Sequence, residues 1–548
     1  MKVRYDKERE IFTITEASRV EFHQTKQFLT RQPKGYQYDI RYKMKVWSGE
    51  ICLLKDGEFR LGLWKEVANL CKLNGWKFEV ENKEDFPINK DMTLEKLDIF
   101  CKEFFKDHKT KKGDVFYPYD HQIQAAYKII RNRYCLSEVA TGGGKSFIFS
   151  IVAFYILKHI NPDAKFLLIV PSISLVTQFY NEIISYNRGL NFENKNYLDI
   201  KMCEIMSDKP RIDEGECNIY IGTFQSLEKR PPQFFEQFYC ITSDESHKCG
   251  SKTGTTGKEK GSNGLKQFTK ILSYTVGHAS MRYGLSGTFP TEDSLDYLTI
   301  SSWHGPKIGE VSARELMNKG VITNVKVKAL LLNYDDSDFN DNIALIRKGN
   351  GKGAFDLEKR YIMESEVRLN FIFDNILAKT TKNTLVLFNS IDYGKKIFNR
   401  AKDNLVGIDC YYIDGQTSKK KRQYIIDKLD NVGIRTKIGK ILGDETIKDR
   451  PKILFASFGV FSTGISVKNL HNAVFMESYK SEQLVIQSVG RILRIHENKQ
   501  TAILFDIVDI FDDRTRNKNT LYKHYLERKG FYEKRDYPLE EKKITLKR

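Results

Sequence analysis

Cysteine is scarce in this chain. There are nine in 548 residues, an odd number, and no two stand in a C-x-x-C pair. That argues against a disulfide framework and a thiolate zinc site, and it suits a reducing compartment. Long apolar runs are missing too. The longest, Phe147 to Leu157, stops at Lys158, well short of the roughly 20 residues that span a bilayer. Met1 to Glu10 is charged throughout, so no secretory signal is expected there. No repeat of 20–50 residues is found. Acidic residues are outnumbered: 89 Lys and Arg stand against 71 Asp and Glu, a net charge of +18. An excess of that size points to a polyanionic partner such as nucleic acid and away from an acidic one. What is present, 41% hydrophobic and 29% charged residues, is the composition of a folded, soluble, multidomain protein.

Four segments follow from the pattern. Residues 1–112 form a small unit. It has short β-rich runs at Arg41–Val46 and Glu50–Leu54 around Trp47-Ser48-Gly49, an amphipathic helix at Leu61–Leu73 closed by Asn74-Gly75, and a second helix at Thr93–Lys106. It is expected to be an accessory domain, with DNA contact and a merely solvated surface both open readings. The Lys-rich Lys109–Gly113 reads as a linker. Residues 113–320 alternate short apolar runs with helical patterns: Tyr134–Val139, Lys165–Val170, Asn218–Ile221 and Tyr239–Thr242. Continuous apolar runs of this length are strands buried on both faces of a parallel sheet. Residues 321–512 repeat the scheme with Thr384–Phe388, Cys410–Ile413, Ile453–Ala456, Ala473–Glu477 and Thr501–Asp506. Two α/β units in tandem follow, hinged at Lys319–Asn324. Cys249–Gly264 and Lys348–Gly353 read as flexible loops. The last stretch, 514–548, carries 12 basic and 5 acidic residues. It reads either as a nucleic-acid contact or as a solvated tail. Its interleaved aromatics Tyr522, Tyr525, Phe531, Tyr532 and Tyr537 suggest partial packing on the second α/β unit.

Two motifs carry chemistry of their own. Ala140-Thr141-Gly142-Gly143-Gly144-Lys145-Ser146 sits between a strand and a helix. Its glycines let backbone N–H groups curl around phosphate oxygens, and the helix N-terminus adds partial positive charge. Lys145 can reach the β- and γ-phosphates, and the Ser146 hydroxyl can ligate Mg²⁺. About 100 residues on, Asp244-Glu245-Ser246-His247 ends another buried strand. Asp244 can hold Mg²⁺, Glu245 can orient or deprotonate the attacking water, and His247 can couple the site to the rest of the molecule.

Together these residues resemble the superfamily 2 helicases of the DExH type. Further motifs stand in that family's order over about residues 116–505. Phe116 to Gln122 resembles the adenine-reading segment, with Gln122 as reader. Pro171 to Gln178 and Thr223 to Leu227 resemble motifs Ia and Ib, implying that Pro171, Ser172, Gln178, Thr223 and Gln225 grip a nucleic-acid strand. Ser286-Gly287-Thr288 resembles motif III, implying that Ser286 and Thr288 couple hydrolysis to movement. Leu387 to Ser390 resembles motif IV, with Ser390 on the strand, and Ser462 to Ser466 motif V, with Gly464 at the nucleotide. Gln487-Ser488-Val489-Gly490-Arg491-Ile492-Leu493-Arg494 resembles motif VI. Arg491 and Arg494, three apart, would share one helix face and act with Gln487 on the γ-phosphate as arginine fingers do. The nucleotide site implied is Gln122, Thr141, Gly142, Gly143, Gly144, Lys145, Ser146 and Gly464. Catalysis would fall to Lys145, Asp244, Glu245, Gln487, Arg491 and Arg494, and metal binding to Ser146 and Asp244.

The resemblance implies two tandem RecA-like parallel-sheet domains behind a small N-terminal α+β domain. It implies ATP and Mg²⁺ as cofactors and an ATP-dependent motor on nucleic acid. Within the superfamily the pattern is most similar to phage branch-migration helicases, near the XPB and RecG groups. Expected partners are then branched duplex and single-stranded DNA, with RNA–DNA hybrid as a further candidate and no membrane. The expected location is the cytoplasm, the host's if the gene is a phage's. The chain departs from the family pattern at Val139, Ser246 and Gly287, which spare the reacting groups. An RNA helicase, a restriction-type translocase subunit and a non-enzymatic nucleic-acid scaffold remain the alternatives.

Overall fold

The computed structural model describes residues 1–109, 113, 116–190, 192–206, 217–249, 263–334, 351–430, 450–462, 467, 469–479, 485, 488–490, 499, 501–511 and 519–546. The chain forms two compact units. One comprises Met1–Ala140 and Gly144–Val311, the other Thr141–Gly143 and Ser312–Arg548.

In the first unit a seven-stranded sheet runs in the order Lys307–Val311, Tyr134–Val139, Met281–Ser286, Cys240–Asp244, Phe166–Val170, Ile219–Thr223, Met202–Ile205, and every pairing is parallel. Five of these strands are buried along their whole length. Helices on both faces exclude water from such strands, so their sequences are rich in apolar residues without alternation, with a few buried polar groups such as Ser137, Ser243 and Arg282 among them. Helix Lys145–His159 is buried nearly all round for the same reason. The N-terminal residues add a four-stranded sheet in the order Glu58–Arg60, Ile11–Glu16, Lys2–Asp6, Glu79–Val80, with helices Arg19–Phe28 and Trp64–Leu73. Its first two pairings are antiparallel and the last is parallel. This is the small α+β region.

A buried ion pair ties that region to the large sheet of the same unit. Arg282 donates to both oxygens of Glu10, at 2.8 and 3.1 Å, and to Trp303 O and Thr275 Oγ1. Tyr134 completes the knot by donating to Ala279 O at 2.6 Å and Glu10 Oε1 at 3.2 Å. At Gly62 a Cβ would lie 1.9 Å from Ser301 O, so only glycine permits this approach.

The second unit has its own seven-stranded, all-parallel sheet, in the order Asp409–Ile413, Lys452–Ser457, Thr384–Phe388, Asn472–Phe475, Thr501–Ile510, Asn324–Tyr334, Leu539–Leu546. The basic C-terminal stretch is part of it. Helix Thr520–Lys534 packs against strand Thr501–Ile510, and strand Leu539–Leu546 forms the sheet edge. The helix is held by Arg528, which donates to both oxygens of buried Asp506 at 2.9 and 2.8 Å, and by buried Glu358, which accepts from Thr520 N and Leu521 N. A tail reading therefore does not hold for 519–546.

Two other local expectations are corrected. Within Arg41–Val46 the chain is not a strand. Ile40–Lys43 is a short helix, because the Asp39 carboxylate caps it at Arg41 N (2.9 Å) and outweighs the local β-pattern. Of Lys348–Gly353, Gly351–Gly353 open helix Gly351–Glu364, where the buried Ala354 and Ile362 anchor a glycine-rich start. Residues 110–112 of the expected linker and 250–262 of the other expected loop lie outside the described residues. The expected hinge joins helix Ala313–Asn318 to strand Asn324–Tyr334 within the second unit. Among the described residues no helix is long and apolar enough to cross a membrane.

Candidate nucleotide site and its motif network

A parallel sheet delivers every strand's C-terminal end to one edge, and that edge is where such folds bind ligands. Here the edge gathers motifs that the sequence disperses. Tyr134–Val139 runs into the phosphate loop, Met281–Ser286 ends on Ser286, and Cys240–Asp244 ends on Asp244. Phe166–Val170 precedes Pro171-Ser172, and Ile219–Thr223 ends on Thr223. These five strands are consecutive neighbours in the sheet.

The phosphate loop has the backbone its glycines were expected to allow. Gly142 and Gly144 sit at φ 90° and 82°. Gly144 is also crowded: a Cβ there would come within 2.2 Å of Gln122 Nε2. Gln122 is thus packed on the loop, with its Oε1 accepting from Tyr119 N at 3.0 Å. Lys145 opens helix Lys145–His159.

Beyond the loop, one continuous polar chain crosses the site. Lys145 Nζ lies 3.5 Å from Glu245 Oε1. Glu245 Oε2 lies 3.2 Å from His247 Nδ1, which is 2.8 Å from Ser286 Oγ. Ser286 Oγ donates to Thr288 O at 2.7 Å and accepts from Thr288 N at 3.2 Å. Because the single Ser286 proton is spent on Thr288, the His247 Nδ1 must carry the hydrogen and donate toward Ser286 and Glu245. The DExH segment is thereby wired to motif III. Glu245 reaches this position from a left-handed backbone, φ 52°, which a residue with a Cβ adopts at a cost of about 1–3 kcal/mol.

The two adjacent carboxyls titrate apart. Burial first, and the negative Glu245 second, push Asp244 up to about 7. Burial also acts on Glu245, but the Lys145 ammonium and His247 outweigh it and hold this carboxylate well below the usual range. Asp244 Oδ1 is buried and has no hydrogen-bond partner among the described residues. An orphaned carboxylate oxygen at the strand end suits a hydrated divalent cation, and Ser146 is the second group that could hold one.

The remaining expected residues are placed as follows. Pro171, Ser172 and Gln178 are half-buried, Ser172 beside Ser174 (3.1 Å) and Gln178 donating to Glu182 (2.8 Å). Thr223 is buried and its hydroxyl caps helix Phe224–Leu227, whereas Gln225 is exposed. Ser390, in the second unit, caps helix Ile391–Asn404. Gly464, Gln487, Arg491 and Arg494 lie outside the described residues. The structure adds residues that sequence reasoning missed. Half-buried Tyr186 on helix Ile173–Arg188 hydrogen-bonds Ser146 and packs its ring 4.5 Å from Phe147. His304 bonds Ser243 Oγ at 2.9 Å and is kept neutral by burial, its pKa held down to about 3. Neither belongs to a motif, so only tertiary packing reveals them. In the second unit Glu477 accepts from Asn389 N and Ser390 N at 2.8 and 2.9 Å, fixing motif IV.

Comparison with known proteins agrees with this arrangement. Residues 116–291 match the family described as type III restriction enzyme, res subunit, and residues 368–496 match the helicase conserved C-terminal domain. The chain is 26% identical over 512 residues to the ATP-dependent DNA helicase uvsW of Enterobacteria phage T4, covering 92% of this chain and 90% of that protein. In fold it resembles the ATP-dependent type ISP restriction-modification enzyme LlaBIII bound to DNA, with a TM-score of 0.55, 16% identity, and coverage of 87% of this chain and 34% of that one. It also resembles the DUF1998 helicase MrfA bound to DNA, with a TM-score of 0.50, 14% identity, and coverage of 84% and 56%. With both helicase domains matched in tandem over two parallel-sheet units, the chain belongs to the superfamily 2 helicases, enzymes that hydrolyse ATP.

Proposed function

We propose that this helicase acts on branched DNA, unwinding or branch-migrating forks, four-way junctions and R-loops in replication, recombination and repair. The observation that carries the motor reading is the unbroken path from Lys145 through Glu245 and His247 to Ser286 and Thr288. A change at the γ-phosphate alters Lys145 and Glu245 first, and the path passes that change to motif III. The DNA substrate rests on the likeness to the phage T4 helicase and on the +18 charge.

In this reading Gln122 reads adenine and Thr141 to Lys145 cradle the phosphates. Ser146 and Asp244 hold Mg²⁺, which neutralises phosphate charge when bound. Glu245 orients and deprotonates the attacking water. Arg491 and Arg494, with Gln487, stabilise charge developing on the γ-phosphate, and Gly464 contacts the nucleotide. Pro171, Ser172, Gln178, Gln225 and Ser390 follow the strand backbone. Thr223, already committed as a cap, shapes that loop rather than reaching out. Residues 1–112 serve as the accessory domain, 113–320 and 321–512 as the two motor domains, and 513–548 as an extension of the second. The working location is the cytoplasm, the host's for a phage-encoded chain.

The test is a synthetic four-way junction with one labelled strand, incubated with the full chain, Mg²⁺ and ATP. Expected is ATP-dependent conversion to two duplex products, abolished by Lys145→Ala. Conversion of an RNA duplex but not of the DNA junction would move the reading to an RNA helicase.

A further inference from the structure

A second surface of the first unit does not belong to the nucleotide site. In residues 36–47 of the N-terminal region four apolar side chains face solvent: Tyr38 is 62% exposed, Ile40 68%, Met44 66% and Val46 72%. They are mounted on a rigid base. Tyr36 and Tyr42 meet edge-on with centroids 4.8 Å apart. Gly49, at φ 80°, closes beneath them, where a Cβ would lie 2.6 Å from the Tyr36 ring and 2.9 Å from that of Tyr42. Trp47 Nε1–H donates to Glu50 O at 2.9 Å, and the Arg41 guanidinium lies 5.0 Å from the Trp47 ring. Apolar tips held this firmly in water lower the stability of the isolated protein, so a ligand is the physical reason to keep them.

Charge selects the ligand. Exposed Lys34, Lys43 and Lys45 flank the tips, and among the described residues none of the three is in an ion pair. The carboxylate of Asp39, by contrast, is already paired with Arg41 at 2.9 Å. Aromatic and aliphatic tips alternating with unpaired cations match a chain of flat apolar bases joined by phosphates. Lys45 sits at φ 57°, a strained backbone of the kind that gathers at functional sites. We infer that Tyr38, Ile40, Met44 and Val46 form a stacking face for the unpaired bases at the branch of a DNA substrate, with Lys34, Lys43 and Lys45 on the adjoining phosphates. This rests on the DNA reading above. The Glu10–Arg282 pair and the Gly62–Ser301 contact fix the same region to the ATP-binding sheet, so the face moves with the motor.

The experiment uses the full chain and two fluorescein-labelled DNAs of equal length, a fork with single-stranded arms and a blunt duplex, read by anisotropy across a salt series. Tyr38→Ser with Ile40→Ser changes only exposed tips, so basal ATPase is expected to stay unchanged. Fork affinity should fall at least about fivefold, the low end of one stacked base, while duplex affinity stays within about twofold. Lys43→Gln with Lys45→Gln should weaken both DNAs and reduce the salt slope by about two. Unchanged fork affinity in the tip variant overturns the stacking face. So does an equal loss on both DNAs, or a wild-type dimer in sedimentation that dissociates in the tip variant while fork binding is kept. Wild-type protein that binds neither DNA overturns the DNA reading itself, a failure distinct from that of the face.

Discussion

Asp244 and Glu245 are neighbours in sequence with opposite electrostatic fates, and their chemistry follows from that difference. Glu245 is kept ionised by Lys145 and His247, the form in which it could accept a proton in the role proposed for it. Replacing it by Gln keeps the shape and removes the base. Turnover should fall at least about 100-fold, while ATP and DNA affinities stay near wild type; near-normal turnover in a stopped-flow phosphate-release assay would defeat the assignment. Asp244 holds its proton up to about pH 7 in the ligand-free protein, whereas an unfolded Asp releases it near pH 3.9. The folded state thus binds the extra proton between those values, and the pair loses stability as pH rises through that window. Asp244→Asn should flatten this dependence and raise the melting temperature of the apo protein at pH 8. Mg²⁺–ATP must displace the same proton. Its affinity should therefore climb with pH up to about 7 and then level, with proton release visible by calorimetry in buffers of different ionisation enthalpy. Proton release that persists in Asp244→Asn would assign it elsewhere.

Among the elements, the strands buried on both faces were the most legible. Tyr134–Val139 and Thr384–Phe388 coincide with their apolar runs, most others differ by a residue or two, and Thr501–Ile510 runs four residues beyond its expected end at Asp506. Their apolar residues run on without alternation, and the few polar ones, such as Ser137 and Thr384, do not break the run. The N-terminal strands Lys2–Asp6 and Ile11–Glu16 went unread because one face of each meets water and charges interrupt them. Leu539–Leu546 hides for a related reason: it is an edge strand, mostly exposed, and reads as a charged tail. Its place in the sheet is set by pairing with Asn324–Tyr334, far away in sequence. Arg282 and Glu10 are likewise far apart in sequence. Removing one partner leaves a buried charge uncompensated, so Arg282→Met should destabilise the first unit by about 3–5 kcal/mol, and Arg282→Met with Glu10→Leu by clearly less. Thermal melts of the full chain with the two variants compared check this; equal losses would mean that packing, not charge, governs the knot.

For the molecule as a whole, the nucleotide site was legible because its chemistry is local: short motifs, each at the end of a buried strand, in a fixed order. What no motif shows is their spatial order across the sheet, or that His247 and Ser286, 39 residues apart, share a hydrogen bond. The N-terminal stacking face was equally hidden, since its evidence is exposure and rigidity rather than a pattern. Net charge of +18 gives the whole chain an attraction to polyanions that salt should weaken steeply. The most direct measurement is steady-state ATP hydrolysis with Mg²⁺, by the full chain alone and with single-stranded, linear duplex, forked and four-way DNA, and with RNA. Expected is slow hydrolysis alone and the strongest stimulation by forked or four-way DNA. No hydrolysis with any polymer, by protein shown to be folded, would contradict the motor reading, and stimulation by RNA alone would contradict its DNA substrate.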